Sequence, residues 1–386
     1  MRRLRKVSAV LLGTASVSSA IFLACSTQDA GVAAPVANDA STAPPEAAAA
    51  MDAATTADAD AATDANTACP PLKNDTPHDF ACTGLYTDVA TKQLANGIRE
   101  FTPAVPLWSD GADKTRWISL PAGTTIDDTN MSEWKFPVGT RLWKEFKVAG
   151  HRVETRFFQK LGDNFWVHSS YQWASDELTA TRADGADITV DGNAYHIPTP
   201  SECDKCHNGR QDRVLGFDAI SLGLPNAAGI TLALLAKEGL LSPTPTTTAY
   251  TIGDDGSGKS AAALGWLNVN CGVTCHNGNT TAAAYPTGLR LRLDPKQLDG
   301  GAPDPSWDVL KTAVDIGAVT PRWIPSKRIV PGQPDMSLLV QLISERGTEQ
   351  MPPIASMVVD DKDVQIVRSW ILSMPPDAGA DGGDGG

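Results

Sequence analysis

The sequence has little positive charge for its length of 386 residues. Its 32 Lys and Arg stand against 45 Asp and Glu, so the formal net charge at pH 7 is −13. A protein that binds nucleic acid needs a basic face for the phosphates, and anionic lipid attracts basic segments for the same reason. The composition therefore argues against both as partners. With 42% hydrophobic residues, the chain is otherwise typical of a globular protein with a substantial core.

Beyond its N-terminus, the sequence also lacks a run of the ~18 apolar residues that a membrane span requires. Residues 1–24 join four basic residues to an apolar stretch, which is typical of a signal peptide. Cys25 follows Ala24 and resembles the lipidated cysteine of bacterial lipoproteins, although Phe22 stands where leucine is usual. We therefore expect an outer-membrane lipoprotein held by its lipid anchor alone. Ordinary cleavage near Ala24, giving a soluble periplasmic protein, is the alternative.

Both ends of the chain contain few residues that a core could bury. Residues 25–68 are mostly Ala, Thr, Asp and Pro, and residues 376–386 are mostly Gly, Asp and Ala. Such segments are predicted to be a disordered tether and a disordered tail. Export places the chain in an oxidising compartment, where Cys69 and Cys82 are expected to form a disulfide.

The strongest chemical signal is the segment Cys203-Asp204-Lys205-Cys206-His207. On one turn of helix, two thiols at this spacing can each bond one vinyl group of a porphyrin, and the adjacent imidazole can reach the iron. Thr199 and Pro200 are typical of a helix start. We therefore predict a covalently bound haem c here, with Cys203 and Cys206 as anchors and His207 as iron ligand. A zinc or redox C-x-x-C site is the alternative.

A second segment, Cys271-Gly272-Val273-Thr274-Cys275-His276, has one more residue between its cysteines. Helices predicted over 260–267 and after Asp360 flank it, with Val364, Val367, Trp370 and Ile371 on one apolar face. This is the frame of a small cytochrome c. We therefore predict a second covalent haem c, held by Cys271, Cys275 and His276. Met351, before two prolines, is the predicted sulfur ligand opposite His276, with Met336 and Met357 as alternatives.

No methionine occurs between Met131 and Met336, so the first haem has no methionine in its own segment. Its second axial ligand is left open among several side chains or none. The candidates are His78, His151, His168, His196, Met131 and a methionine from a distant part of the chain. Among the histidines, His168 and His151 are favoured, because His196 is close to His207 in the chain. A histidine would make a low-potential carrier, whereas an open position would admit a small ligand.

Residues 101–198 have the composition of β-strands. The runs 142–148, 151–161 and 164–173 are rich in Val, Phe, Trp and Thr and are separated by turn residues. Six tryptophans between Trp108 and Trp173 are expected mainly in the core. The predicted fold is α+β and multidomain, with an antiparallel β-sandwich over 69–198 followed by all-α haem modules. The first module would span 199–258 and the second, which is cytochrome c-like, 259–375.

The segment from Gly253 to Ser260 matches the phosphate-loop pattern G-x-x-x-x-G-K-S. A phosphate loop works through free backbone N–H groups and a lysine, and Asp254 and Asp255 oppose an anion there. No parallel α/β pattern surrounds it. We predict a connecting loop and no nucleotide.

These segments together resemble a family of bacterial envelope diheme c-type cytochromes from about Cys82 to Pro375. The matching stretches are, in order, 83–86, 106–116, 134–140, 154–156, 195–198, 268–271, 331–334 and 351–353. The family's second motif usually has two residues between its cysteines. The resemblance implies electron carriage without naming a substrate.

We therefore expect a diheme c-type cytochrome that carries single electrons to another periplasmic redox protein. The acidic body favours a partner with a basic docking face. One alternative is a peroxidase-like or oxidase-like enzyme with an open first haem. Another is a cell-surface binding module in which haem is structural.

Overall fold

The computed structural model describes Cys69, residues 74–354 and residues 356–376. The signal peptide, Cys25 and the tether therefore lie outside the described residues, as does the predicted tail after Pro376. The strands are β1 (Tyr86–Asp88), β2 (Gln93–Leu94), β3 (Arg99–Thr102), β4 (Asp113–Ser119), β5 (Ile126–Asp127), β6 (Arg141–Val148), β7 (His151–Gly162), β8 (Phe165–Trp173), β9 (Ala180–Ala183), β10 (Ala186–Val190), β11 (Asn193–Ile197), β12 (Ala228–Gly229) and β13 (Leu241–Ser242). The helices are α1 (Pro200–His207), α2 (Ala219–Gly223), α3 (Leu232–Lys237), α4 (Ser260–Leu267), α5 (Asp308–Lys311), α6 (Leu338–Ser344) and α7 (Asp361–Ser373).

The molecule is mixed α+β and is built on one antiparallel sheet of seven strands. Their order is β12-β3-β4-β6-β7-β8-β9. The three long strands predicted from composition are β6, β7 and β8, so those predictions are confirmed to within one residue at each end. The described strands form one large sheet and three two-stranded sheets, so the two large layers of the predicted sandwich are not found.

One face of the sheet is covered by the chain that precedes it. Trp117, Trp143 and Phe157 project from neighbouring strands and pack against Phe80 and Leu85. Cys69 and Cys82 form a disulfide, with 5.5 Å between their Cα atoms, and so tie this covering segment together as predicted. Five of the six tryptophans between Trp108 and Trp173 are buried, which confirms that they belong to the core.

The opposite face of the sheet packs against the helical part of the chain. One core cluster includes Ile118 and Phe158 of the sheet, Phe217 before α2, and Leu264 and Trp370 of later helices. The described residues all belong to one compact unit. Because the core crosses residues 198 and 258, the sheet forms a wall of the helical part. The predicted domain boundaries stay predictions.

The helices that the sequence predicts around the second motif are present. Helix α4 spans Ser260–Leu267 as predicted, and α7 begins after Asp360, whose side chain accepts a hydrogen bond from the Asp363 backbone. The predicted apolar face of α7 is buried, and α7 packs against both α4 and α6. Among the described residues, no helix is long and apolar enough to span a membrane.

Candidate haem site

The first cysteine motif lies on α1, and two reciprocal hydrogen bonds cap the N-terminus of this helix. The Thr199 side chain accepts from the Glu202 backbone, and the Glu202 carboxylate accepts from the Thr199 backbone at 2.9 Å. This capping box satisfies N–H groups that the first turn leaves unpaired. The capping box therefore stabilises the short helix that carries Cys203 and Cys206, which are both free thiols.

His207 follows at the end of α1 and is oriented by a backbone carbonyl. Its Nδ1 donates to the Arg213 oxygen at 2.6 Å, so the proton resides on Nδ1 and the lone pair of Nε2 is free. Its ring stacks on Phe158 with 4.3 Å between centroids. Because the ring lies deep in the protein, desolvation lowers the pKa of His207 to about 3. A neutral imidazole with one nitrogen fixed by a hydrogen bond is the form that binds a metal.

The second motif differs from the first in backbone as well as in spacing. Helix α4 runs directly into a π-helical turn at Asn268–Gly272. The backbone of His276 then donates to the Cys271 oxygen at 2.8 Å, which is again a bond across five residues. A π-turn accommodates one additional residue within a helix and often occurs at functional sites. The helical backbone therefore accommodates the extra residue between Cys271 and Cys275 through hydrogen bonds that span five residues.

His276 has a different environment from His207. Its Nδ1 is buried and makes no hydrogen bond to a described residue. The Leu289 backbone raises the pKa of the ring, but by less than the effects that lower it. Desolvation, followed by the charges of Arg328 and Arg290, lowers the pKa of His276 to about 4. This imidazole is therefore also neutral near pH 7.

The two motifs are in direct contact. A Cβ atom on Gly209 would lie 1.7 Å from the Thr274 carbonyl oxygen, so only glycine allows the chain after α1 to approach this closely. Thr281 also donates its hydroxyl to the Asn208 oxygen at 2.6 Å. The Cys275 thiol donates to the Lys205 oxygen at 3.9 Å. Its proximity to the Cys206 thiol raises the pKa of Cys206 and lowers that of Cys275 to about 7.

Both motifs line one cavity of about 480 Å³. Its wall includes the four cysteines that are free in the described chain, together with His207, His276 and Met351. Met351 is held at this wall by a backbone hydrogen bond to the Leu342 oxygen of α6, at 2.8 Å. Met336 and Met357 are 62% and 50% exposed and are not among the lining residues. The structure thus brings Met351, and neither alternative, to the wall that His276 shares.

Most candidates for the second axial ligand of the first haem are held away from His207. Phe158 lies between His168 and His207, stacked on His168 at 4.9 Å and on His207 at 4.3 Å. His151 is exposed and faces Glu177 and Asp191. His78 is also exposed.

The two remaining candidates are engaged elsewhere. His196 does line the cavity, but its ring nitrogens contact Asp187 at 2.7 Å and Glu202 at 3.1 Å. Met131 packs against the main core cluster and is not a lining residue.

Sequence reasoning missed the basic residues of the cavity wall. Seven line it in the described chain: Arg116, Lys144, Arg156, Lys205, Arg213, Arg322 and Arg328. Glu202 is the one acid among the lining residues that the structure describes. Lys and Arg at alternate positions of strands otherwise rich in aromatics are a signal that could have revealed part of this wall, because alternate residues share a face.

The donor set fits haem better than a bare metal ion. In the described part of the chain, no three His, Cys, Asp or Glu side chains converge as metal ligands. A structural zinc site needs four such ligands, whereas a porphyrin brings its own four nitrogens and requires one or two axial side chains. Free thiols next to neutral imidazoles, on a wall that is largely apolar, meet that requirement.

The loop that matches the phosphate-binding pattern uses its N–H groups internally. The amides of Gly256 and Gly258 donate to the Asp254 carboxylate at 2.8 and 2.7 Å. The Ser260 hydroxyl donates to the other oxygen of the same carboxylate at 3.1 Å. These groups are therefore engaged by an acid where a phosphate would need them free.

Comparison of the chain with family models, with curated proteins and with solved structures finds no match. Function must therefore be inferred from the residues of the cavity and their geometry.

Proposed function

We propose that the protein is a diheme c-type cytochrome that carries single electrons in the bacterial cell envelope. The observation that carries this proposal is the meeting of two Cys/His motifs on one cavity, with four free thiols and two neutral imidazoles. Haem iron supplies reversible one-electron chemistry, and the protein sets its potential through axial ligands and surroundings. The chain's own part is to anchor, orient and shield.

Each functional side chain has a definite role in this proposal. Cys203 and Cys206 would anchor one haem and Cys271 and Cys275 the other, and His207 and His276 would each bind one iron. Met351 would give its thioether sulfur to the iron held by His276, which favours the ferrous state. Contact between Cys206 and Cys275 supports electron exchange between the two sites, because the anchors of the two haems adjoin.

The helical part supports a cytochrome c-like module around the second motif. Helix α4 precedes the motif, α7 is the last helix of the described residues, and the two helices pack together. Met351 follows α6 in a loop at the cavity wall. This is the order expected of a small cytochrome c, with the seven-stranded sheet added as an extra wall.

We also propose where the protein is located and which kind of partner it meets. The N-terminal segment and Cys25 favour export and lipid anchoring at the outer membrane, with a soluble periplasmic form as the alternative. The net charge of −13 favours a redox partner with a basic docking face and opposes nucleic acid.

Mass spectrometry of the mature protein tests the proposal directly. We expect the mass of two haems on the chain, and of one haem when both Cys203 and Cys206 are changed to Ala. Changing Cys69 and Cys82 to Ser is the matched control, because it also removes two cysteines and should leave two haems. A wild-type mass without haem contradicts the proposed function.

A specific observation favours a second candidate function, that of a diheme enzyme. Phe158 separates His168 from His207, and His196 is engaged by two carboxylates. An open position on the iron at His207 would let a small oxidant such as peroxide bind. Absorption spectra separate the two functions: a high-spin ferric haem supports the enzyme, and two low-spin haems support the carrier.

A further inference from the structure

The sheet presents a row of three basic side chains to the cavity beside the first motif. Arg116 of β4 lies opposite Lys144 of β6, and Lys144 lies opposite Arg156 of β7. All three line the cavity. Because residues paired directly across antiparallel strands project from the same face, these three charges are neighbours. Like charges in this arrangement destabilise a sheet.

Among the described residues, only one of the three has an acidic partner. Arg156 donates two hydrogen bonds to the Glu154 carboxylate, at 2.8 and 3.0 Å. Glu154 is fully buried and also accepts hydrogen bonds from the Ser170 and Tyr195 hydroxyls at 2.6 Å each. Its oxygens are therefore already engaged, and little of its capacity is left for another cation.

Arg116 and Lys144 lack a counter-ion among the described residues. Arg116 is 6% exposed, and no described residue forms a hydrogen bond or an ion pair with it. The Lys144 ammonium lies over the Phe146 ring at 4.9 Å and likewise has no ion pair in the described chain. Desolvation, together with the charges of Arg116, Lys114 and Arg156, lowers the pKa of Lys144 well below its ordinary value. Buried charges without partners are costly.

Such a row is explained if a bound group supplies the missing negative charge. We propose that Arg116 and Lys144 bind the propionate carboxylates of the haem anchored by Cys203 and Cys206. This inference rests on the proposed function, since it assumes that a haem is attached at the first motif. Arginine presents a planar fork that matches a carboxylate, and lysine adds a compact charge.

The rest of the wall favours a haem carboxylate over a free anion. Leu142 and Phe158 pair across β6 and β7 two positions from Lys144 and Arg156, so they share the face of the basic row. Both line the cavity, as does Leu215. Apolar side chains suit a macrocycle, whereas a site for a small inorganic anion is usually polar throughout. The propionates of a haem lie on the porphyrin edge opposite the vinyl groups that the thiols would bond. Of the row, Arg156 is the member whose charge acts on the Cys203 and Cys206 thiols, which leaves Arg116 and Lys144 to face the opposite edge.

The test compares the holoprotein with the Lys144→Met variant. Lys147→Met is the matched control, because Lys147 is on the same strand and does not line the cavity. A cation near the iron favours the reduced state, so its removal should lower the reduction potential of one haem. We expect the equilibrium constant for reduction to fall about tenfold, which is about 59 mV for one electron, with no change in Lys147→Met.

Two further variants guard against a merely structural effect. Arg116→Met should lower the same potential, and Lys144→Arg should restore it, because arginine keeps the charge and adds donors. Loss of the first haem alone from Lys144→Met, with the second retained, would also support the inference.

Two outcomes would overturn the binding of propionates by the basic row, and a third would overturn the presence of haem on which it rests. Equal potentials in Lys144→Met and Lys147→Met, with both haems attached, would overturn it while leaving the proposed function intact. A saturable shift of the wild-type potential with acetate or inorganic phosphate, at constant ionic strength, would show that the row takes a free anion. A wild-type chain without haem would instead remove the proposed function itself.

Discussion

At the scale of single residues, Asp212, which follows the first motif in the chain, receives four hydrogen bonds. Lys160 donates to both its oxygens at 2.8 and 2.7 Å, Trp166 donates at 2.8 Å, and the Phe136 backbone donates at 2.6 Å. Lys160 and Asp212 are only 3% and 4% exposed. This cluster differs from the basic row, which shares strand β7 with Lys160, because every charge in the cluster has a partner.

We expect Asp212→Ala to lower the free energy of unfolding by about 3–5 kcal/mol, since it leaves the Lys160 ammonium buried without a counter-ion. Asp75→Ala is the control. Asp75 pairs with Arg182 at 2.9 Å, but its side chain is 62% exposed, so its loss should cost less than about 1 kcal/mol. Urea denaturation followed by circular dichroism measures both, and equal costs would contradict this account of Asp212.

At the scale of elements, the two cysteine motifs use different helical geometries for related tasks. Helix α1 is an ordinary α-helix that a capping box starts, whereas Cys271 lies in a π-turn that extends α4. The extra residue of the second motif raises the question of whether both thiols can reach one porphyrin. The π-turn gives that residue a place without breaking the helix, because its hydrogen bonds span one residue more.

We expect haem attachment at Cys203 and Cys206 to depend on the N-terminal cap of α1. Thr199→Ala should lower the free energy of unfolding by about 1 kcal/mol and reduce the fraction of chains with a haem at Cys203 and Cys206. The reason is that fraying of the first turn leaves the helix and its thiols less ordered. Haem occupancy is measured by mass spectrometry of the purified protein.

Thr231→Ala is the control for the capping prediction. Thr231 caps α3 in the same way, by accepting from the Leu234 backbone at 3.2 Å, and α3 carries no cysteine. We expect a similar loss of stability with unchanged haem occupancy. If both variants lose haem equally, the effect reflects stability in general and the proposed role of the α1 cap is wrong.

At the scale of the whole molecule, the chain is acidic, whereas the wall of its cavity is basic. The chain has a net charge of −13, yet its cavity wall has seven basic residues and, in the described chain, one acid. The basic wall suits a bound carboxylate group inside. The rest of the chain is more acidic still, and long-range attraction to a basic partner would raise the rate of their encounter.

We therefore expect electron transfer to a basic acceptor protein to slow as salt is added. Between ionic strengths of ~0.01 and ~0.15 M the bimolecular rate constant should fall roughly tenfold, because the Debye length shrinks from about 30 to about 8 Å. Stopped-flow absorbance with a basic cytochrome c as acceptor measures this, and an acidic acceptor is the control. A rate to the basic acceptor that does not respond to salt would contradict the prediction.

Much of the local structure could be predicted from the sequence. Strands β6, β7 and β8, helices α4 and α7, and the disulfide between Cys69 and Cys82 all match their predictions. Each depends on neighbouring residues: alternation, a helical repeat, a capping side chain or a cysteine spacing. Such signals are short in range, and local backbone preferences express them directly.

What the sequence by itself determined is the set of chemical groups, namely two cysteine pairs, each followed by a histidine, and a loop methionine. Only the tertiary structure decided that the sheet is one layer sharing the helices' core, that Phe158 separates His168 from His207, and that the two motifs touch at Gly209. It also decided that Arg116, Lys144 and Arg156 form one row. These facts depend on which strands pair and which faces pack. Pairing between distant segments is set by the fit of whole surfaces, which no local pattern contains.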